Sequence, residues 1–119
     1  MFMRDPTINV GTDIIEIQRF RRRPLKTNMS FYNSIFTKPE LVHCLKYSDP
    51  YPHLAGIFAA KESVIKCSNR RLRMIDVAIV QDTNGKPVAV THYKNKIIKT
   101  SISISHTQSL AIAIAILVS

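Results

Sequence analysis

The run Ala111-Ile112-Ala113-Ile114-Ala115-Ile116 constrains the fold more than any other stretch of this 119-residue chain. Its strict alternation is that of a β-strand, with isoleucines on one face and alanines on the other. Neither face is polar, so the strand is expected inside a sheet with cover on both sides, from helices or from another subunit. The surrounding apolar stretch, Leu110 to Val118, is about half the length that a transmembrane helix requires. No membrane span is therefore expected.

The rest of the second half also alternates. Met74 to Gln81 and Pro87 to His92 flank Asp82-Thr83-Asn84-Gly85, a hairpin signal because Asn-Gly tolerates positive φ. Ser101 to Ile104 alternates polar and apolar residues, and His106 to Ser109 forms a turn into the Ala/Ile strand. The first half reads differently. Thr7 to Thr12 predicts a first strand ending at Gly11-Thr12-Asp13, followed by a short helix from Ile14 or Ile15 that stops by Pro24. Thr37-Lys38-Pro39-Glu40 is a capping box opening a helix that runs to about Tyr47. Ser48 to Pro52 is a turn, and a third helix is expected from about Leu54 to Lys66. The pattern is α+β: an antiparallel sheet packed with about three helices in one domain spanning 1–119.

Chemistry concentrates in a split acidic pair, Asp13 in Val10-Gly11-Thr12-Asp13-Ile14-Ile15-Glu16 and Glu62 in Phe58-Ala59-Ala60-Lys61-Glu62-Ser63-Val64-Ile65-Lys66. Both segments are mainly apolar, which sets these carboxylates at the edge of a core, where unpaired charge is costly. A hard divalent cation such as Mg2+ relieves that cost and takes one or two carboxylates plus substrate phosphates. Glu62 and Lys66 lie four residues apart on one helical face, so one helix offers a metal ligand and a cation for phosphate. Each also has a simpler account: Asp13 as a helix N-cap, and Glu62 as a surface partner of Lys66.

The chain has 17 Lys and Arg against 8 Asp and Glu, a net charge of +9. That balance favours an acidic partner, whether nucleic acid, an anionic surface, a phosphorylated ligand or an acidic protein. Arg19, Arg22 and Arg23 fall at the spacing that gathers side chains on one helical face. Cys44 and Cys67 lie far apart with neither a second pair nor a histidine cluster nearby, so neither a zinc site nor a disulfide framework is indicated. Met1 to Pro6 has no apolar run, and a reduced, cytoplasmic setting is expected.

Gly11-x-Asp13-Ile14-x-Glu16 and Phe58-Ala59-x-Lys61-Glu62-x-x-x-Lys66 resemble the two signature motifs of the 4'-phosphopantetheinyl transferases, in the short holo-acyl-carrier-protein synthase type. Asn84-Gly85-Lys86-Pro87 and Ser103-Ile104-Ser105-His106-Thr107 extend the resemblance, in order, over nearly the whole chain. It implies an enzyme of lipid metabolism that moves 4'-phosphopantetheine from coenzyme A to a serine of an acidic acyl carrier protein, releasing adenosine 3',5'-bisphosphate. Carried over residue by residue, Asp13 and Glu62 hold Mg2+, and Lys66 contacts the phosphates. Asn84, Gly85, Lys86 and Pro87 lie beside the nucleotide end, and Ser105, His106 and Thr107 contact coenzyme A. Glu62, Lys66 and His106 are the candidate catalytic groups, His106 because a histidine's ordinary pKa lies near neutrality. Lys61 points about 100° away on the helix and is structural or an outer phosphate contact. His43, His53 and His92 read as surface or packing residues. The basic segment with Arg19, Arg22 and Arg23 docks the carrier, and the assembly implied is a homotrimer.

The chain departs from the pattern twice. Ile57 stands where the family usually has arginine, and Cys67-Ser68-Asn69-Arg70-Arg71-Leu72-Arg73 stands where a Gly-Thr-Gly loop is common. Two rivals remain in the sequence: a basic nucleic-acid-binding module, and a transferase fold kept as a non-catalytic carrier-binding homologue.

Overall fold

The structure is a computed structural model that describes residues 7–118. The Met1 to Pro6 segment, read above for a leader, lies outside the described residues, as does Ser119. The chain runs β1 (Ile8–Glu16), α1 (Gln18–Arg21), a 3-10 turn (Leu25–Thr27), α2 (Met29–Ile35), α3 (Lys38–Cys44) and α4 (Tyr51–Cys67). A second 3-10 turn (Met74–Asp76) then leads into β2 (Val77–Gln81), β3 (Pro87–Tyr93), β4 (Lys96–His106) and β5 (Leu110–Val118). The strands form one sheet in the order β1-β5-β4-β3-β2, antiparallel at every pairing. The α+β expectation holds: among the described residues three helices are longer than a single turn, of which α3 and α4 pack on the sheet and α2 packs on the two 3-10 turns.

The Ala/Ile strand lies between β1 and β4. Ala111, Ala113 and Ala115 are buried beneath α4, while Ile112, Ile114 and Ile116 are exposed on the opposite face. Small side chains on the covered face let the helix come close. At Gly11 an added Cβ would lie 1.9 Å from the Ser63 carbonyl oxygen and 2.9 Å from the Cys67 amide nitrogen. Only glycine fits there, because both atoms belong to the α4 backbone. The open face continues into β1 through Ile8, Val10 and Ile14, all exposed.

Several boundaries differ from expectation. β1 does not end at Asp13, because β5 pairs with it throughout, through Ile14↔Ile112, Ile15↔Ala111 and Glu16↔Leu110. The β-branched pair Ile14-Ile15 suits that extension. The first helix consequently starts at Gln18, not at Ile14 or Ile15. α3 opens on the expected capping box but ends at Cys44 rather than Tyr47. α4 begins at Tyr51 inside the expected turn, since Pro52 sits in a first turn whose amides need no intrahelical acceptor. In the β2–β3 hairpin only Gly85 has positive φ, +79°, and the loop is held by the Asp82 carboxylate accepting from the Asn84 and Lys86 amides at 2.8 and 2.9 Å. The unanticipated β3–β4 turn uses Lys94 and Asn95 at φ 47° and 64°, which carries β4 back to Lys96.

A buried polar knot joins the helices to the sheet. Lys61 and Glu40 are both fully buried, with Nζ 2.7 Å from Oε1. The Lys61 ammonium also donates to the Ile35 and Met74 carbonyls at 2.8 and 3.2 Å. Glu40 accepts from the Thr37 amide at 2.8 Å and the Ile79 amide at 2.6 Å. Each charge thus has hydrogen bonds beyond its partner, the condition under which a buried pair is tolerated. Lys61 is structural and reaches no outer phosphate position. Beside it Phe20, Phe31, Tyr32, Phe36 and Phe58 pack ring on ring, with neighbouring centroids 5.2–6.4 Å apart. The Tyr32 hydroxyl donates to the Phe20 and Arg23 carbonyls, tying down the end of α1.

Candidate active site

α4 runs antiparallel to β1. Gly11 meets its Ser63–Cys67 turn, while Phe20, beyond the end of β1, packs on Phe58 with centroids 5.4 Å apart. Asp13 follows Gly11 by two residues and so points to the same sheet face. From α4, the Lys66 ammonium reaches across to Asp13 Oδ1 at 3.2 Å and to the Thr12 carbonyl at 2.9 Å. Glu62 is half-buried one helical turn before Lys66, on the same helical face and further along the direction in which β1 runs. The seam between β1 and α4 therefore gathers Asp13, Glu62 and Lys66.

Both simpler accounts of the acids fail. Asp13 caps no helix: it lies within β1 opposite Ala113, and the N-cap of α1 is Ile17 with no side-chain cap bond. Lys66 is drawn to β1 by Asp13 instead of being paired along the helix with Glu62. The Asp13 side chain is 16% exposed and that of Lys66 54%. The acid is thus held while the ammonium remains free to turn outward. Among the described residues no three His, Cys, Asp or Glu side chains cluster as metal ligands. A cation at this seam would take two protein carboxylates and fill its other positions from substrate and water, which suits Mg2+.

The remaining candidates fall elsewhere. His106 is the last residue of β4 and shares the helix-covered face with Ala111 and Ile15, two strands away from β1. Ser105 alternates to the open isoleucine face, opposite Ile112. The Thr107 hydroxyl oxygen accepts from the Ser109 and Leu110 amides and closes the β4–β5 turn. Asn84, Gly85 and Lys86 are exposed at the β2–β3 hairpin, on the far edge of the sheet from Asp13. Pro87 lines a cavity of about 220 Å3 together with His106 and Ile57. One chain thus divides the expected coenzyme A contacts into two groups, one at the β1–α4 seam and one around β3 and β4.

Arg19, Arg22 and Arg23 line a single groove of about 300 Å3 with Phe31 and Phe58 as apolar walls. Arg23 lies over the Phe31 ring at 4.3 Å and Arg19 over Phe58 at 5.9 Å. They meet although the helix stops at Arg21. Arg21 itself turns away, its guanidinium donating to both Asp49 oxygens at 3.1 and 2.8 Å. His43 and His53, read in the sequence as surface or packing residues, pack on Tyr47 and also stand in the His106 cavity. No local spacing links positions 43, 53 and 106. Cys44 and Cys67 are buried thiols, and burial pushes the Cys44 thiol up to about 12.

Comparison with known proteins agrees with this geometry. A family model described as the 4'-phosphopantetheinyl transferase superfamily matches residues 9–115. A holo-[acyl-carrier-protein] synthase of Protochlamydia amoebophila is 40% identical over 118 residues, covering 92% of this chain and 97% of that protein. One from Caldanaerobacter subterraneus subsp. tengcongensis is 39% identical over 121 residues, covering 93% and 94%. Among solved structures, the Helicobacter pylori synthase in complex with coenzyme A superposes with TM-score 0.77 at 28% identity, covering 92% of this chain and 99% of that one. The Bacillus anthracis synthase, in complex with CoA (3',5'-ADP), gives TM-score 0.76 at 28% identity, covering 93% and 96%. With both signature motifs brought to one seam and this breadth of match, the chain belongs to the 4'-phosphopantetheinyl transferase superfamily, in its holo-acyl-carrier-protein synthase type.

Proposed function

We propose that this chain transfers 4'-phosphopantetheine from coenzyme A to a serine hydroxyl of an apo acyl carrier protein, releasing adenosine 3',5'-bisphosphate. The observation that carries the reading is the reach of Lys66 from α4 to Asp13 and Thr12 on β1, with Glu62 one turn before it. Asp13 and Glu62 are the residues that would hold Mg2+. When bound, the ion would neutralise charge on the pyrophosphate and polarise its phosphorus-oxygen bonds. Lys66, more than half exposed, swings from Asp13 to the phosphate oxygens and stabilises charge growing there. The carrier serine oxygen bonds to the phosphorus that bears pantetheine, and the bond from that phosphorus to the bridging oxygen breaks, the electron pair leaving with the nucleotide. Of the two side chains able to take the serine proton, Glu62 is the one that stands with Asp13 and Lys66.

The basic groove of Arg19, Arg22 and Arg23 suits an acidic carrier, which it would draw in by long-range attraction and hold against its aromatic walls. The open face of β1 and β5 supports a homotrimer, because burying one isoleucine side chain gains about 1.5–3 kcal/mol. That assembly would bring the His106 side of one chain to the Asp13 seam of the next. No helix among the described residues is long and apolar enough to cross a membrane, and we place the enzyme in the cytoplasm.

The test is to incubate the protein with Mg2+, coenzyme A and an apo carrier protein and to weigh the carrier. Addition of one phosphopantetheinyl group, lost in Asp13→Asn and in Glu62→Gln, is expected. A carrier that binds but never gains mass would identify a non-catalytic homologue. Tight nucleic-acid binding that weakens steeply with salt and ignores both substitutions would favour the basic-module alternative.

A further inference from the structure

Three of the four histidines converge from separate elements on one cavity. His43 comes from α3, His53 from the first turn of α4 and His106 from the end of β4. Tyr47 links them, its ring stacked on His53 at 3.5 Å and 16° and set edge-on to His43 at 5.7 Å. His53 in turn meets His106 edge-on at 5.7 Å. All three histidines line the cavity of about 220 Å3 that also includes Pro87, Ile57 and Gln81, and no lysine, arginine or carboxylate lines it.

A metal is not what this cluster holds, since no three such side chains among the described residues are placed to share an ion. Uncharged imidazoles offer N–H donors, and protonated ones offer the only positive charge available in the cavity wall. We propose that His43, His53 and His106 form a proton-coupled site for a phosphate group of coenzyme A, charging as the anion enters. The proposal rests on the transferase reading above, which makes coenzyme A the phosphate source.

The groups facing His53 decide the direction of coupling. From α3 it meets His43, from the loop after α3 Tyr47, from β4 His106, and from the turn before α4 Asp49. Burial holds its imidazole below the ordinary histidine range, the charges of His106 and His43 push the same way, and Asp49 opposes them. The Asp49 carboxylate is already engaged by Arg21. With no anion bound, burial and the neighbouring imidazoles therefore disfavour a charged His53 ring. An anion between the rings reverses that balance, and binding takes up protons from solvent.

Calorimetric titration of coenzyme A into the Mg2+-loaded protein at pH 7, in two buffers of different ionisation enthalpy, measures that uptake directly. Wild type is expected to take up about half a proton or more and to bind about tenfold more weakly at pH 8 than at pH 6. His53→Phe keeps a ring for Tyr47 to stack on, and His43→Gln keeps a polar side chain. Each should lower the proton uptake and flatten the pH dependence. The ionisation of free coenzyme A's phosphate, with a second pKa near 6, is common to every variant, so the differences report the removed imidazole together with its effect on the bound phosphate. His92→Gln, on β3 outside the cavity, should match wild type. Binding with unchanged uptake in both cavity variants overturns this inference and leaves the transferase reading standing. Absence of coenzyme A binding at every pH overturns both.

Discussion

Replacing Gly11 by alanine tests the link between fold and active site at one atom. The new Cβ would start 1.9 Å from the Ser63 carbonyl oxygen, about 1.5 Å short of the 3.4 Å at which ordinary contact begins. That oxygen is backbone within α4, so it cannot rotate away as a side chain would. Either β1 or α4 must move. Overpacking of this kind costs about 1–3 kcal/mol, and the large α4–β1 contact places the upper end of that range here. For a domain of this size a cost of about 3 kcal/mol is a fall in melting temperature of about 9–18 °C. The same displacement opens the seam holding Asp13 on one side and Glu62 and Lys66 on the other. Misplacing reacting groups by about 1 Å costs on the order of a hundredfold in rate. Thermal denaturation of the purified variant, with transfer assayed well below its melting temperature, measures the two effects separately. An alanine variant as stable as wild type, transferring at the wild-type rate, would refute the claim that close approach at Gly11 sets the site.

Lys61→Met should cost about 3–5 kcal/mol in urea denaturation, because it leaves Glu40 charged and buried without its partner. Adding Glu40→Gln should recover part of that loss by removing the stranded charge. The Arg21 side-chain hydrogen bond holds the Asp49 carboxyl below the usual carboxylate range. A depressed folded pKa contributes stability above about pH 4 that is lost as pH falls through the folded value. The pair is exposed, which limits this to about 0.2–1 kcal/mol, so Asp49→Asn should lower stability slightly at pH 6 and lose its deficit toward pH 2. Ile114→Lys places a charge at the centre of the open sheet face and should yield a folded monomer by analytical ultracentrifugation.

What was legible in the sequence was local. The Ala/Ile alternation announced β5, and the Thr37/Glu40 box announced α3, because each signal is contained within a few neighbouring residues. The position of Asp13 was not, since the length of β1 depends on β5 offering partners about a hundred residues away. Glu40 shows the boundary within one side chain. One oxygen serves the Thr37 amide and is visible as a capping box, whereas its other oxygen bonds the Ile79 amide, which no spacing reveals. The metal-site candidates came through motif order, but the histidine cavity did not. His43, His53 and His106 share no period and meet only through the packing of α3 and α4 over β4.

The division of candidate contacts about α4 would tie catalysis to the proposed assembly. Asp13, Glu62 and Lys66 sit at the β1 edge, whereas His106 and Pro87 lie around β4 and β3. The helix between them is buried at Ala55, Ala59, Ala60 and Val64, so a ligand cannot pass through it from one group to the other within a chain. In the proposed assembly, a single coenzyme A that uses both groups would take them from two copies. The isoleucine face supplies a reason for copies to meet, and its lack of charge between Ile112 and Ile116 leaves no electrostatic cost to oppose them. On this reasoning Ile114→Lys should depress transfer by separating two half-sites while leaving the Lys66–Asp13 contact in each chain intact. A monomeric variant retaining full transfer would place the entire site on one chain and remove the need for the second copy.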